Sequence, residues 1–147
     1  MIRNFTQQDK DTVLAMVTDF YTSPGVLHQI PVSNFADAFD DMVAGTPHLR
    51  GLLIECDGEA AGYCQLTFSY STEAGGLVVS VEELYITPAF RGRGLGHEAF
   101  DYIKKEYAGK AARIRLEVNP ENPRAAALYA RLGFEELPYT QMINEDF

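Results

Sequence analysis

The 147-residue sequence contains only two cysteines, Cys56 and Cys64, and no long apolar stretch. Both cysteines lie among apolar residues, so we expect buried, reduced thiols rather than a disulfide. No segment approaches the roughly 20 apolar residues of a membrane-spanning helix, and residues 1–5 lack the apolar core of a signal peptide. These absences predict a cytoplasmic protein with no membrane partner, folded as a single domain over residues 1–147.

Basic residues are also scarce, since 12 Lys and Arg stand against 21 Asp and Glu. This balance argues against nucleic acid as the main partner, because a phosphate backbone must be met by clustered cations. Nine of the basic residues lie in residues 91–131, together with five acidic ones, whereas residues 1–90 hold three basic and twelve acidic residues. We therefore expect an anionic ligand on the middle segment and a cationic partner elsewhere, although a solvated acidic surface explains the acidic part equally well.

The spacing of apolar residues predicts a mixed α/β fold with the element order β-α-α-β-β-β-α-β-α-β-β. Thr6 to Asp9 has the spacing of a capping box that opens the first helix, and Ser23-Pro24-Gly25 is a stop signal for it. A strand, helix and strand across residues 77–118 imply a right-handed crossover and parallel pairing. The predicted strands are residues 1–5, 49–56, 60–70, 77–86, 112–118, 134–137 and 139–143.

A glycine-rich turn follows the strand that ends at Ile86. Its three glycines, Gly92, Gly94 and Gly96, let the main chain turn with N–H groups pointing inward, and the helix that follows adds its own N-terminal donors. This arrangement predicts a phosphate site at the carboxyl end of a strand. It is not a P-loop, because the chain has no Gly-Lys-Ser/Thr, and His97 stands where a dinucleotide fingerprint needs glycine.

The remaining pattern, Arg91-x-x-Gly94-x-Gly96, resembles the pyrophosphate loop of the GNAT superfamily of acetyl-CoA-dependent N-acetyltransferases. A second block resembles that family's N-x-x-A-x-x-L-Y-x-x-x-G-F region and runs from Asn122 to Phe134. The resemblance covers roughly residues 77–137, and the element order fits from residue 1 onward. It implies a GNAT fold with a central twisted mixed sheet, acetyl-CoA as cosubstrate without a metal, and acetyl transfer to a primary amine of a small cationic molecule.

The resemblance also implies which residues hold acetyl-CoA. Main-chain groups of Leu84, Tyr85 and Ile86 would pair with pantetheine, and an N–H on this strand would face the thioester oxygen, where negative charge develops. Asn122 would contact pantetheine, or would instead cap the helix that begins at Pro123. Arg93 would lie at the edge of the phosphates or in solvent. The pyrophosphate would be bound by main-chain N–H groups of Arg91, Gly92, Arg93, Gly94, Leu95, Gly96 and His97.

Acetyl transfer to an amine needs a base, because an alkylammonium with a pKa of about 10.4 is neutral in roughly one molecule in a thousand at pH 7. Glu82 and Glu83 lie on the strand that would flank the thioester, and only one should face the site, because neighbours on a strand point to opposite sides. Resemblance to the spermidine/spermine N-acetyltransferase branch favours Glu82 over Glu83. Tyr129 matches the family tyrosine that protonates the departing thiolate, and otherwise would be an aromatic on a buried helix stripe.

The acceptor is not encoded in a recognisable motif. The resemblance places the second helix at the border of the acceptor cleft, and that helix carries Asp37, Asp40 and Asp41. Acetylation of a protein N-terminus or lysine, and a non-catalytic CoA-binding module, remain alternatives. Relatives in the family often pair, so the resemblance allows a homodimer. We expect no metal site, because metal-ligand spacing is absent among His28, His48 and His97.

Overall fold

In the computed structural model, which describes residues 1–23, 26 and 28–146, five strands form one mixed sheet. The strands lie side by side in chain order, and the four α-helices of the described part pack on the two faces of this sheet. The strands are β1 (Ile2–Asn4), β2 (Leu49–Cys56), β3 (Glu59–Ser71), β4 (Gly76–Ile86) and β5 (Arg113–Leu116). The helices are α1 (Lys10–Tyr21), α2 (Val32–Ala44), α3 (Leu95–Tyr107) and α4 (Pro123–Arg131). None of these helices is long and apolar enough to span a membrane.

The predicted pairing of strands is confirmed. Strands β1 to β4 pair antiparallel in sequence order, and β5 lies parallel to β4 after the crossover through α3. The parallel pairing is short, because residues 78–81 of β4 pair with residues 113–116 of β5 and β4 then continues alone on that side to Ile86. The two strands therefore separate at the carboxyl end of β4, where an open α/β sheet binds its ligand.

The predicted helical stripes are buried on the two faces of the sheet. Helices α1 and α2 cover one face, where Val17 and Phe39 are fully buried against Tyr63 and Tyr85. Helix α3 covers the other face, with Phe100 and residues of α4 packed over the opposite side of β3 and β4. The sheet thus has an apolar core on each side, as expected for strands buried on both faces.

The capping interactions predicted for the helix ends are largely observed. The N–H of Thr6 donates to the Asp9 carboxylate at 2.7 Å, which confirms the capping box, and Arg3 pairs with the same carboxylate at 2.8 Å. Helix α2 ends at Gly45 in the left-handed conformation, with φ at 84°. The predicted stop of the first helix falls on Pro24 and Gly25, which lie outside the described residues.

The two last predicted strands are wrong. Residues 134–137 and 139–143 form no strand, and β5 is the last strand of the described chain. Phe134 packs on Phe100, but the apolar side chains after it find no buried face, since Tyr139 is 71% and Met142 is 92% exposed. Pro138 separates the two segments and has no N–H for a ladder, and a strand without a paired neighbour or a buried face has little to stabilise it.

One extra residue changes the alternation of side chains along β4. Gln65 of β3 pairs with Glu83, but the next residue of β3 pairs with Val81, so Glu82 has no partner across the ladder. Such a β-bulge shifts the strand by one position, so side chains on either side of it alternate out of step. Val81 before the bulge packs towards α3, and so does Leu84 after it, three residues later.

Candidate active site

The glycine turn forms a loop of left-handed residues that leads directly into α3. Gly92 has φ at 79° and Gly94, the N-cap of α3, has φ at 84°. A Cβ at either position would meet no atom within 4 Å, so the space above the loop is open. The first N–H groups of an α-helix have no partner within the helix and, with the helix dipole, favour an anion. The loop therefore has the conformation and the donors that a phosphate requires.

The third glycine has a different role from the one its spacing suggested. Gly96 lies in the first turn of α3 with no left-handed torsion, and a Cβ there would approach Leu128 of α4 to 3.3 Å. Its missing side chain therefore allows α3 and α4 to pack closely beside the loop. The prediction that all three glycines form the turn is therefore confirmed for Gly92 and Gly94 and wrong for Gly96.

The loop opens onto a cleft of about 470 Å³ between the free end of β4 and helix α4. Leu84, Tyr85 and Ile86 of β4 lie along it, and one side is closed by Phe20 of α1 and by Ser23, which follows that helix. Every charged side chain that lines the cleft within the described chain is basic, which suits an anionic ligand. These basic residues are Arg91, Arg124 and Arg131, and His97 also lies in the lining.

The three basic residues of the loop differ in position. The Nε–H of Arg91 donates to the main-chain oxygen of Ile86 at 2.9 Å, and its guanidinium lies 5.7 Å from the ring centre of Tyr85. Arg93 points away from the cleft lining, 3.3 Å from the carboxylate of Asp57 and over a phenyl ring, in agreement with the surface alternative. His97 is exposed in the first turn of α3 and lines the cleft.

Helix α4 brings Asn122 and Tyr129 to the opposite wall. The Asn122 Oδ1 accepts a hydrogen bond from the N–H of Ala125 at 3.1 Å, so this residue is the N-cap of α4, and it also lines the cleft. Tyr129 lies about two turns further along and packs edge-to-face on Phe100, with ring centres 5.7 Å apart. Burial raises the pKa of Tyr129, so its hydroxyl keeps its proton at neutral pH.

The two acidic residues before the loop lie on the same face of the sheet, contrary to the expected alternation. Glu83 is buried beneath α1 and accepts hydrogen bonds from the hydroxyls of Tyr21 and Tyr63. Glu82 is exposed and accepts a hydrogen bond from Thr67 at 2.7 Å. Thr67 follows Tyr63 by four residues on β3 and shares its face. The bulge at Glu82 is the physical reason that both carboxylates point to the side of α1 and α2.

The two acids differ in environment. Burial and the neighbouring charge of Glu82 raise the pKa of the Glu83 carboxyl, whereas the hydroxyls of Tyr21 and Tyr63 lower it. Burial is the largest of these causes, and the net direction is upward. Glu83 therefore binds a proton more readily than an ordinary glutamate. On the same side, burial and the charge of Asp19 raise the pKa of Tyr85.

The aspartates of α2 do not gather at the cleft. Asp40 pairs at 2.7 Å with Lys10, the first residue of α1, whereas the cleft is lined by Phe20 near the end of that helix. Asp37 and Asp41 are exposed on the same helix. The thiols are free, with Cys64 fully buried and Cys56 partly buried, as expected for reduced cysteines.

Several residues of the site were not predicted from the sequence. Arg124 and Arg131 could have been found, because they lie seven residues apart and hence on one face of the helix that carries the second motif. Tyr21 and Tyr63 could not, because they reach Glu83 from 62 and 20 residues away and carry no local pattern.

The comparison with known families decides the identification. Residues 13–134 match the Acetyltransferase (GNAT) family. The chain belongs to the GNAT acetyltransferase family. A thialysine N-epsilon-acetyltransferase of Bos taurus is 29% identical over 149 residues, which cover 93% of this chain and 85% of the relative. A putative ribosomal protein bS18-alanine N-acetyltransferase of Bacillus subtilis (strain 168) is 28% identical over 135 residues, which cover 91% and 80%.

The fold of this GNAT protein agrees with solved structures. The structure of AAC(6')-Iy in complex with the bisubstrate analog CoA-S-monomethyl-acetylneamine superimposes with a TM-score of 0.82 at 18% identity, covering 100% of this chain and 98% of that one. The family and its named relatives make the chain an acetyl-CoA-dependent N-acetyltransferase. The left-handed loop, the N-terminus of α3 and the arginines that line the cleft fit the pyrophosphate of that cosubstrate.

Proposed function

We propose that this N-acetyltransferase acetylates the primary amine of a small cationic molecule, by direct transfer while both substrates are bound. The observation that carries the proposal is the contrast across the end of β4. The charged side chains that line the cleft beside the glycine loop are basic, whereas Glu82 and Glu83 face the side of α1. A cosubstrate with phosphates suits the first side and a protonated amine suits the second.

We further propose Glu83 as the general base, in preference to Glu82. This reverses the order suggested by the family resemblance. Because burial raises the pKa of Glu83, its carboxylate accepts a proton more readily than an ordinary glutamate, and each of its oxygens keeps a further lone pair beside the hydrogen bond from tyrosine. Glu82, by contrast, is exposed. Glu83 also directly precedes Leu84, whose main chain we propose for pantetheine together with those of Tyr85 and Ile86. Glu82 would then add to the attraction of a cationic acceptor.

The remaining roles follow from the cleft. When bound, acetyl-CoA supplies an acetyl group activated as a thioester. The N–H groups from Arg91 to His97 would hold its phosphates, aided by the side chains of Arg124 and Arg131 on the facing helix. Tyr129 keeps its proton because burial raises its pKa, so its Oη can donate to the sulfur that leaves. We propose that Asn122 orients this wall as the N-cap of α4.

The proposal is tested by measuring thiol release from acetyl-CoA with a panel of acceptors. The panel contains a polyamine, thialysine, an aminoglycoside and a peptide that begins with alanine. We expect release with at least one small amine and none with the peptide. Release with the peptide alone would replace the proposal by protein acetylation, the activity named for the Bacillus relative. Tight CoA binding with no release for any acceptor would refute it.

The assignment of the base is tested by a matched pair of variants, Glu83→Gln and Glu82→Gln. Loss of a general base lowers the rate by about 10²–10⁴-fold. We expect that loss for Glu83→Gln and a change of less than about tenfold for Glu82→Gln, with unchanged affinity for CoA in both. The opposite order of losses would return the role to Glu82.

A further inference from the structure

Both oxygens of the Glu83 carboxylate are held by phenol hydroxyls. The Tyr63 Oη donates to Oε2 at 2.7 Å, and the Tyr21 Oη donates to Oε1. Glu83 itself is only 9% exposed. A buried carboxylate with two such donors is fixed in direction, because hydrogen bonds to a charged acceptor are short and strongly oriented.

The two tyrosines are not equivalent. Tyr63 is fully buried in the core beneath α1 and α2, where its ring packs on Phe35 with ring centres 5.7 Å apart. Tyr21 is partly exposed and is the last residue of α1. Its neighbours Phe20 and Ser23 line the cleft. Tyr21 therefore connects the wall of the cleft to Glu83, whereas Tyr63 connects Glu83 to the core.

We propose that Tyr21 is a positioning residue for the reaction, which holds Glu83 in its ionised form and aims it towards the side where the amine binds. This role rests on the proposed function of Glu83 as the base. A hydrogen bond from a phenol to an ionised carboxylate is stronger than one to a neutral carboxyl, so the Tyr21 hydrogen bond favours the ionised state, which is the state that accepts a proton. Tyr63 alone leaves the second oxygen unheld.

The electrostatics around Glu83 support this role. Burial and Glu82 raise the pKa of Glu83, and the two tyrosine hydroxyls are the groups that lower it. Burial and Glu83 raise the pKa of Tyr21, which keeps the phenol protonated as a donor. Within the described chain, the titratable groups that act on Glu83 are Tyr21 from α1, Tyr63 from β3 and Glu82 from β4, whereas Cys64 lies on the opposite face of the sheet. Removal of the Tyr21 hydroxyl leaves burial opposed by Tyr63 only, so the pKa of Glu83 should rise.

The decisive measurement is the dependence of kcat/KM on pH for Tyr21→Phe. The acidic limb should move to higher pH, kcat/KM at pH 7 should fall by about tenfold, and the rate should recover as pH increases. Tyr102→Phe is the matched control, because it removes a phenol hydroxyl that contacts only Arg50, at 3.1 Å. The control should keep the wild-type profile. A loss for Tyr21→Phe that is equal at every pH would overturn the proposal.

Two further measurements separate this proposal from the proposed function. In protein labelled with ¹³C at glutamate carboxyls, the Glu83 signal is assigned by its disappearance in Glu83→Gln and titrated without any acceptor. It should titrate at higher pH in Tyr21→Phe than in the wild type, even if no amine is acetylated, and equal titration would refute the role of Tyr21. Replacing Tyr21 by 3-fluorotyrosine, a stronger donor of nearly the same shape, should move the titration in the opposite direction. This replacement keeps the test valid if the phenylalanine variant folds poorly.

Discussion

Gly94 offers a sharp test of the glycine loop, because a second glycine provides a matched control. Gly94 and Gly45 have the same φ of 84°, and a Cβ at either would meet no atom within 4 Å. Gly94 is the N-cap of α3 and lines the cleft. Gly45 ends α2 and does not line it. Alanine at either position therefore causes the same backbone strain in different places.

The expected loss of stability is the same for Gly94→Ala and Gly45→Ala. A left-handed conformation costs a residue with a Cβ about 1–2 kcal/mol. For a chain of this size, 1 kcal/mol lowers Tm by about 2–4 °C, so both variants should melt about 2–8 °C below the wild type. Thermal melting followed by circular dichroism measures this change.

Only Gly94→Ala should weaken the binding of CoA. The strain is relieved by moving φ towards negative values, which turns the N–H groups of the loop away from the phosphates. Loss of one hydrogen bond to a charged group costs about 1.5–3 kcal/mol, which raises Kd by about 10–100-fold. Calorimetric titration with CoA measures the affinity. If both variants lose stability and Gly94→Ala still binds CoA within twofold of the wild type, the loop does not hold the pyrophosphate.

Three other substitutions test different parts of the protein. Tyr129→Phe should lower kcat by about 10²-fold in steady-state assays and leave CoA affinity unchanged, because only the proton donor is lost. Asp9→Asn should cost about 2 kcal/mol in urea unfolding at pH 7. Because hydrogen bonds from Arg3 hold the pKa of Asp9 far below its usual value, this stability is present above about pH 4 and is lost as pH falls further, so the two proteins should converge in acid. Gly62→Ala should lower stability by about 2–3 kcal/mol in thermal melting, since a Cβ there would lie 2.2 Å from the main-chain oxygen of Tyr85.

Each of these tests has an outcome that contradicts its premise. If kcat is unchanged in Tyr129→Phe, Tyr129 is not the proton donor, and water would protonate the departing thiolate. An Asp9→Asn variant whose destabilisation does not shrink at all as the pH is lowered progressively below about 4 would show that the charge of Asp9 is not the source of its contribution. A Gly62→Ala variant as stable as the wild type would mean that β3 and β4 can separate at this point without cost.

Local pattern and chemistry were sufficient to predict much of the fold. The stripe of α1 that includes Val17, the stop at Gly45 and the cap at Asn122 each depend on residues within a few positions of one another, and each is confirmed. The predicted strands after Gly133 fail for a related reason. A strand needs a partner, and apolar residues near position 140 do not reveal whether a neighbouring strand is available.

The parts of the site that the sequence does not reveal depend on distant contacts. The spacing of Gly92 and Gly94 predicts the loop, because torsion angles are a local property. The hydrogen bonds of Glu83 to Tyr21 and Tyr63 join three elements across the fold, and no periodicity within one element reports them. The ranking of Glu82 against Glu83 therefore required the structure, whereas the presence of an acid at this point did not.

The bulge at Glu82 determines which side chains of β4 face each side of the sheet. Before it, Val81 packs towards α3, and strict alternation would send Glu83 to that same apolar core, where a carboxylate would be buried without donors. Because of the extra residue, Leu84 and Ile86 face α3 instead. Glu83 faces the opposite side, where it accepts a hydrogen bond from the Tyr63 hydroxyl. The bulge also lies where the pairing of β4 with β5 ends. Beyond this point the main chain of β4 has no neighbouring strand on the side of the cleft. A single inserted residue thus places apolar side chains on the α3 side of the strand and both carboxylates on the side of α1 and α2, which is the separation that the proposed binding of the two substrates requires.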